Sequence, residues 1–191
     1  MRLLNIVALG LLICFTFSCK EVKKEAEKEI EEIQPAAKEV NVEKIAFSMQ
    51  AKSGSDVAGT VSFTEENGTV SMLAELSGLS PGEHAIHLHE KADCTSDDGK
   101  STGGHWNPTA EPHGKWGAQE GYHRGDIGNF TADEQGNATV EFSTNLWCLG
   151  CEDETKNILG KAVIVHQGVD DFTSQPSGAA GARVSCTGII E

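Results

Sequence analysis

The sequence predicts an all-β domain folded as a β-sandwich or a β-barrel. Two observations indicate this class: 21 of the 191 residues are glycine, and short β-branched runs alternate with clusters of turn residues. A helical bundle would instead show a sustained 3.6-residue period of apolar positions. With 38% hydrophobic residues, the chain can build the core of one medium-sized domain and carry a tail besides.

Eight segments have the length and the residue pattern of β-strands. Turn signals separate several of them, including the hairpin dipeptide Asn67-Gly68 and the clusters Ser53–Asp56 and Asp133–Asn137. The predicted strands are Ile45–Ala51, Val57–Thr64, Thr69–Ser77, Glu83–Glu90, Gly125–Thr131, Ala138–Ser143, Ala162–His166 and Arg183–Ile190.

Two long stretches between these strands, 91–124 and 167–182, have no strand pattern. Loops of this length in a compact domain are usually either functional or disordered. We therefore expect the functional residues of the domain to lie on these two loops and on the strands that lead into them.

The N-terminal part of the chain differs in composition from the rest. Arg2 is followed by an apolar run and then by Ser18-Cys19, a pattern that resembles a bacterial lipoprotein signal. The run is shorter than the roughly 20 apolar residues of a membrane-spanning helix. We expect a signal peptide over 1–18, lipidation at Cys19, a charged tether over 19–44 and a folded domain over 45–191.

A lipid on Cys19 would anchor the domain to a membrane of the cell envelope, facing the periplasm or the cell surface. Thr16 and Phe17 depart from the usual lipoprotein pattern, and Cys14 is a second cysteine in the apolar run. An uncleaved anchor helix is therefore the alternative for this segment. The Lys- and Glu-rich segment has a narrow stripe of apolar residues at helical spacing, so a partner-binding helix is the alternative to a solvated tether.

The formal net charge of −14 at pH 7 restricts the partners of the chain. Nucleic acid is excluded, because binding to its phosphates requires a basic surface. An anionic substrate would need a local positive site, since the overall field of the protein repels it.

Three histidines lie on predicted strands. His87 and His89 occupy alternate positions of Glu83–Glu90, so both imidazoles project from one face of the strand while the apolar residues beside them point to the other. His166 ends a later strand and faces away from the core side of that strand. His84 has the opposite parity to His87 and His89, and we interpret it as a structural residue.

The long loop 91–124 and the strand that follows it add His105, His113, His123 and Asp126. Imidazole is a good ligand for copper and zinc, and a closed set of three histidines and one carboxylate is typical of structural zinc. Six histidines and one aspartate form two four-ligand sites only when one imidazole is shared between them.

Four stretches of the chain resemble the copper/zinc superoxide dismutase family. The resemblance extends over residues 42–191 and implies an eight-stranded Greek-key β-barrel or sandwich with two long functional loops. It also implies an enzyme that converts superoxide into oxygen and hydrogen peroxide. The stretches are GEHAIHLHE (82–90), GHWNP (104–108), HRGDIGN (123–129) and GARVSC (181–186).

The resemblance implies a role for each residue of the site. Copper is expected on His87, His89, His105 and His166, and zinc on His105, His113, His123 and Asp126, with His105 as the bridge. Asp170 resembles the aspartate that hydrogen-bonds a histidine from each metal site. Arg183 is expected to hold superoxide at the mouth of the copper channel, or to close the loop by hydrogen bonds to backbone carbonyls, and both roles are compatible.

The cysteines of the domain are expected to pair. The resemblance implies a disulfide between Cys94 and Cys186, which would tie the long loop to the last strand. Cys148 and Cys151 form a C-x-x-C pair that the better-known relatives lack. A second disulfide in an oxidising compartment is our interpretation of that pair, with a redox or metal-binding role as the alternative.

The second loop, 167–182, contains no lysine, so attraction of the anion must depend on copper, Arg183 and lysines elsewhere, of which Lys161 is one candidate. Two other functions fit the same fold: a non-enzymatic metal store or adhesion module, and a zinc hydrolase. The hydrolase would need an open position on zinc, which this ligand set does not leave. Monomer and homodimer are both compatible with the sequence.

Overall fold

A computed structural model describes residues 43–190 of the chain. Eight strands and one short 3-10 helix (Lys100–Thr102) make up its regular structure, and the predicted all-β class is confirmed. The strands are β1 (Glu43–Ala51), β2 (Ala58–Glu66), β3 (Thr69–Ser77), β4 (Gly82–His89), β5 (Gly128–Ala132), β6 (Ala138–Thr144), β7 (Ala162–His166) and β8 (Arg183–Gly188).

The predicted signal peptide, the lipidation site Cys19 and the tether up to residue 42 lie outside the described residues. Within residues 43–190, no helix has the length and apolar character that crossing a membrane requires.

Several strand boundaries differ from the prediction, and three of them have a clear cause in the hydrogen bonding. β1 begins at Glu43, two residues early, because its pairing with β2 continues to Glu65. β5 begins at Gly128 and not at Gly125, since the backbone of Gly125 is hydrogen-bonded to the long loop and to β4. β8 ends at Gly188, after which the chain bonds to the 160–161 turn.

All neighbouring strands pair antiparallel, in the order β5-β4-β7-β8-β1-β2-β3-β6. The chain passes from β3 to β4 across the barrel, and β3 pairs with β6 instead, which is the long-range pairing of a Greek key. β5 and β6 stand at the two ends of the order and are joined by the predicted Asp133–Asn137 turn. The sheet therefore curls into a nearly closed barrel.

The core of the barrel follows from period-2 alternation. In β3, every second residue from Val70 to Leu76 is buried while the residues between them are more exposed. Phe63, Ile86, Val163 and similar side chains from the other strands complete this inner cluster. Burial of these apolar surfaces supplies the main favourable term in the stability of the barrel.

The outer face of β4, β7 and β8 is also buried, because the two long loops cover it. Ala162, Ile164 and Cys186 form a small second cluster there, and Cys186 forms a disulfide with Cys94 across 92 residues. Closing a loop of that length stabilises the fold by about 4–5 kcal/mol in the chain-entropy account. The predicted pairing is confirmed, and it fastens the first long loop to β8.

The predicted Cys148–Cys151 disulfide is also present. It follows Trp147, whose indole Nε1–H donates to the carbonyl oxygen of Arg124 at 2.8 Å. Cys148 N–H and carbonyl oxygen bond to Lys156 and Ile158, respectively. The disulfide therefore closes a small loop that packs beside the chain segment leading to Asp126.

Gly125 is where the first long loop returns to the barrel. Its N–H donates to Trp106 O at 2.9 Å, its carbonyl accepts from Leu88 N–H at 2.9 Å, and Trp106 N–H donates to Leu88 O at 2.8 Å. A Cβ atom at position 125 would overlap the Leu88 carbonyl oxygen. Only glycine lets the two backbones approach this closely.

Replacing Gly125 by alanine should lower the free energy of unfolding by about 1–3 kcal/mol, because the added methyl group separates the loop from β4. Chemical denaturation of the metal-free domain measures this change. Gly104→Ala in the same loop is the control, since a Cβ there would meet only Glu90 Oε1 at 3.8 Å. Equal losses in the two variants would contradict the packing argument.

Candidate metal centre

Four histidines from the barrel and the first loop form one buried group. His87 and His89 project from the outer face of β4, as their alternation predicts, while Ile86 and Leu88 point into the core. The full group is His87, His89, His105 and His166, and each residue offers a nitrogen within 4.8 Å of those of the others.

His166 reaches this group from the end of β7. A register shift between Val165 and His166 turns the chain at this point, and His166 pairs with Arg183 on β8. His84 lies outside the group. Its Nδ1 donates to the carbonyl oxygen of His166 at 2.9 Å, and its ring stacks on Phe130 with centroids 5.8 Å apart.

A second group comes from the first long loop and from the residues before β5. It contains His105, His113, His123 and Asp126, whose ligand atoms also lie within 4.8 Å of one another. Asp126 is at the centre: Oδ1 lies 2.8 Å from His105 Nδ1, and Oδ2 lies 3.0 Å from His113 Nδ1.

His105 belongs to both groups. Its ring centroid lies 4.0 Å from that of His87 and 5.3 Å from that of His113. Nδ1 faces Asp126 in the second group, so Nε2, on the other side of the ring, is left for the first. A β-bridge between His89 and His105 holds the backbone in this position.

Six buried imidazole nitrogens in these groups have no hydrogen-bond partner among the described residues. A buried nitrogen left unpaired costs about 1–3 kcal/mol, and coordination to a cation would satisfy all six. All six residues are at most 5% exposed. The atoms are His87 Nδ1, His89 Nε2, His105 Nε2, His113 Nδ1, His123 Nδ1 and His166 Nε2.

The two groups fit different metals. Four imidazole nitrogens suit a copper ion, and three imidazoles with one carboxylate suit a closed zinc site. Metal binding requires neutral imidazole. Burial, followed by repulsion from neighbouring histidines, holds the pKa of His89 and of His166 well below the ordinary value, and burial lowers the pKa of His105 to about 4.

The second group carries a negative charge of its own. Burial would raise the pKa of Asp126, but contacts with His105, His113 and His123 outweigh burial and hold that pKa well below its usual range. Burial likewise opposes protonation of His113, yet its contacts with the carboxylates of Asp126 and Asp170 raise its pKa to about 9. This group therefore attracts positive charge, whether that charge is a proton or a metal ion.

Asp170, on the second long loop, connects the two groups. Its Oδ2 lies 2.8 Å from His87 Nε2, and its Oδ1 lies 2.8 Å from His113 Nε2. Asn129 on β5 holds the backbone of Asp170 with two hydrogen bonds of 2.9 Å. These contacts fix which nitrogen of each imidazole remains free for a metal.

A cleft of about 600 Å³ opens on the first group, and His89, His105, His166 and Arg183 line it. Arg183 Nη1 donates to Gly99 O at 2.8 Å and to Thr102 Oγ1 at 2.9 Å. Burial lowers the pKa of Arg183, although a guanidinium stays charged at neutral pH. The arginine therefore holds the loop and places a fixed positive charge at the cleft.

Lys100 also lines the cleft and pairs with Asp98 at 2.9 Å. Lys161, the candidate predicted from the sequence, has its ammonium 5.7 Å from the ring centroid of Trp106. Lys100 belongs to no strand pattern and no motif in the sequence. It reaches the cleft because its loop folds onto Arg183, and the sequence gives no local signal of that contact.

Comparisons with known proteins agree with this geometry. Residues 57–190 match the family described as copper/zinc superoxide dismutase. The chain is 40% identical over 147 residues to a superoxide dismutase [Cu-Zn] of Caulobacter vibrioides, covering 75% of this chain and 83% of that protein. It is 36% identical over 140 residues to superoxide dismutase [Cu-Zn] 2 of Aquifex aeolicus, covering 71% and 80%.

Solved structures of a SOD-like protein from Bacillus subtilis share the fold. Crystal structures of a double mutant and a single mutant of that protein superpose with TM-scores of 0.69 and 0.68, at 30% and 28% sequence identity. Both comparisons cover 76% of this chain and 97% of the other. The chain therefore belongs to the copper/zinc superoxide dismutase family, as an enzyme that acts on superoxide and uses copper and zinc.

Proposed function

We propose that copper is held by the group of four histidines, that zinc is held by the group around Asp126, and that His105 bridges them. The observation that carries this proposal is the position of the His105 ring, with Nδ1 at 2.8 Å from Asp126 and Nε2 buried and unpaired. When bound, copper supplies reversible one-electron chemistry and zinc supplies a fixed positive charge.

The protein's own part in the reaction is to bind an anion and to deliver protons. Two superoxide ions and two protons give one oxygen and one hydrogen peroxide. His105 can hold a proton at Nε2 while Nδ1 stays fixed in the group around Asp126. A proton held at Nε2 lies beside His89 and His166, which line the same cleft, where the peroxide product must receive it.

Arg183 is the group best placed to bind superoxide. It lines the cleft with His89 and His166, and its bonds to Gly99 and Thr102 hold the guanidinium in one orientation. Because the chain has a formal net charge of −14, the positive charges that draw the anion in must be local. Lys100 at the same cleft adds to that local field, partly offset by its partner Asp98.

We also propose that the domain is lipid-anchored through Cys19 at the cell envelope. The short apolar run before Ser18-Cys19 and the charged segment after it support this proposal. An exported domain would also encounter the oxidising conditions in which disulfides such as Cys94–Cys186 persist.

Substituting His105 by alanine should weaken both metal sites and lower superoxide removal by more than the 10–100-fold that loss of a residue beside a ligand causes. Metal content per chain and superoxide removal on the same purified sample measure the two effects. His123→Ala is the control, expected to lose zinc while it keeps copper. Unchanged turnover in His105→Ala would remove the bridging role.

Asp170→Asn should weaken binding of both metals by about 10–100-fold, because the amide cannot accept hydrogen bonds from two imidazoles at once. Chelator competition measures each affinity. Asp171→Asn makes the same change of charge at an exposed neighbour that bonds Thr173 and Ser174, and it should leave both affinities within about twofold. Equal weakening in the two variants would show that Asp170 acts only through its charge, and unchanged affinity in both would contradict its role.

Cys19→Ser should abolish lipid attachment and release the domain into the soluble fraction, whereas Cys14→Ser should leave it in the membrane fraction. Metabolic labelling with a fatty acid and fractionation of the producing cells distinguish the two variants. If the fatty-acid label is retained in Cys19→Ser and lost in Cys14→Ser, the lipidation site is Cys14. If neither the wild type nor the variants are labelled, the lipid anchor is contradicted.

A further inference from the structure

Gln175, in the second long loop, forms two hydrogen bonds with the backbone of the first long loop. Its Oε1 accepts from His113 N–H at 2.9 Å, and its Nε2 donates to His113 O at 2.9 Å. One carboxamide thus satisfies both backbone groups of one residue, as a neighbouring β-strand would. The two residues are 62 positions apart, so this contact joins two loops that are distant in sequence.

His113 is held by the second loop at its ring as well as its backbone. Asp170 Oδ1 lies 2.8 Å from His113 Nε2, so the segment 170–175 engages the Nε2, N–H and carbonyl of one residue. The other ring nitrogen of His113, Nδ1, has no hydrogen-bond partner among the described residues and lies 3.0 Å from Asp126 Oδ2. The contacts with the second loop therefore fix both the backbone and the ring while Nδ1 stays free for a metal.

His113 differs in this respect from His123. The N–H of His123 donates to Asp126 Oδ2 at 2.8 Å, within its own part of the chain. The position of His113 depends instead on residues that come after β7. Since ligand geometry decides how tightly a metal binds, the hold on His113 should be visible in metal affinity.

The segment around Gln175 is ordered by its own hydrogen bonds. Gly178 N–H donates to Ser174 O at 2.7 Å, and Asp171 N–H donates to Gly178 O at 2.9 Å. A Cβ atom at Gly178 would overlap both Asp170 and His113, so the segment packs against the histidine without free space. The adjacent Pro176 and Ser177 line the cleft.

We propose that Gln175 is a positioning residue for the zinc group, holding His113 in place and fastening the wall of the cleft to the zinc ligand. The inference rests on the proposed assignment of zinc to the group around Asp126. Zinc binding and the shape of the cleft would then be coupled through one neutral side chain, which adds no charge to the approach of the substrate.

Gln175→Met tests this role, because methionine has a similar length but makes neither bond. Gln119→Met is the matched control at an exposed position of the first loop. In the metal-free full chain, amide exchange at His113 should be about fivefold faster or more in Gln175→Met. Zinc affinity by chelator competition should fall roughly tenfold, and the visible bands of Co²⁺ bound in place of zinc should shift. Gln119→Met should match wild type in all three.

Gln175→Asn keeps the carboxamide on a shorter side chain and should behave like Gln175→Met, since it cannot reach both backbone groups. Gln175 is exposed, so the metal-free melting temperature should change by no more than about 2 °C. The inference would be overturned if both variants had the amide exchange rate of wild type at His113 and also its zinc affinity. Zinc binding that survives His123→Ala unchanged in otherwise wild-type protein would overturn the zinc assignment itself, a separate outcome.

Discussion

The shared imidazole of His105 is the constraint on which the rest of this structure depends. One ring must present Nδ1 to Asp126 and Nε2 to three other histidines, so an error of position at this residue disturbs both groups together. The backbone around it is correspondingly well held, by a β-bridge to His89 and by the bond from Trp106 N–H to Leu88 O. Because Gly125 has no side chain, the loop backbone can approach the backbone of Leu88 closely enough for this arrangement.

The barrel and the loops divide the work of building the two groups. Strands β4 and β7 supply His87, His89 and His166 from a rigid outer face. The sheet already orders the backbone there, so the histidines are placed precisely without further restraints. The first long loop and its residue His113 need other restraints, and the structure supplies them as a disulfide, the Asp170 carboxylate and the Gln175 side chain, which bonds backbone groups. Each restraint joins segments that are distant in sequence.

The strands and the histidines of the two groups could be anticipated because each leaves a local signal. Alternation in 83–90 predicted that His87 and His89 share a face, and turn residues marked the strand ends. The start of β5 could not be anticipated, since the backbone of Gly125 bonds to Trp106 in the long loop as well as to Leu88 of β4, outside the regular β4–β5 pairing that begins at Gly128. Asn129 and Gln175 were missed for a related reason: their partners Asp170 and His113 lie across the fold, in loops without periodicity. Lys100 was missed because its place at the cleft depends on the fold of its loop onto Arg183.

The segment 94–102 is joined to β8 twice, by the Cys94–Cys186 disulfide and by the bonds from Arg183 to Gly99 and Thr102. Arg183 and Cys186 are on the same short strand, so the cystine bond and the Arg183 guanidinium share one support. A newly made chain with free thiols lacks one of these two attachments, and the rim of its cleft is correspondingly less constrained. Oxidation of this single pair of thiols therefore adds the second attachment between the rim of the cleft and β8, and a bond of this kind persists only where the surroundings are oxidising.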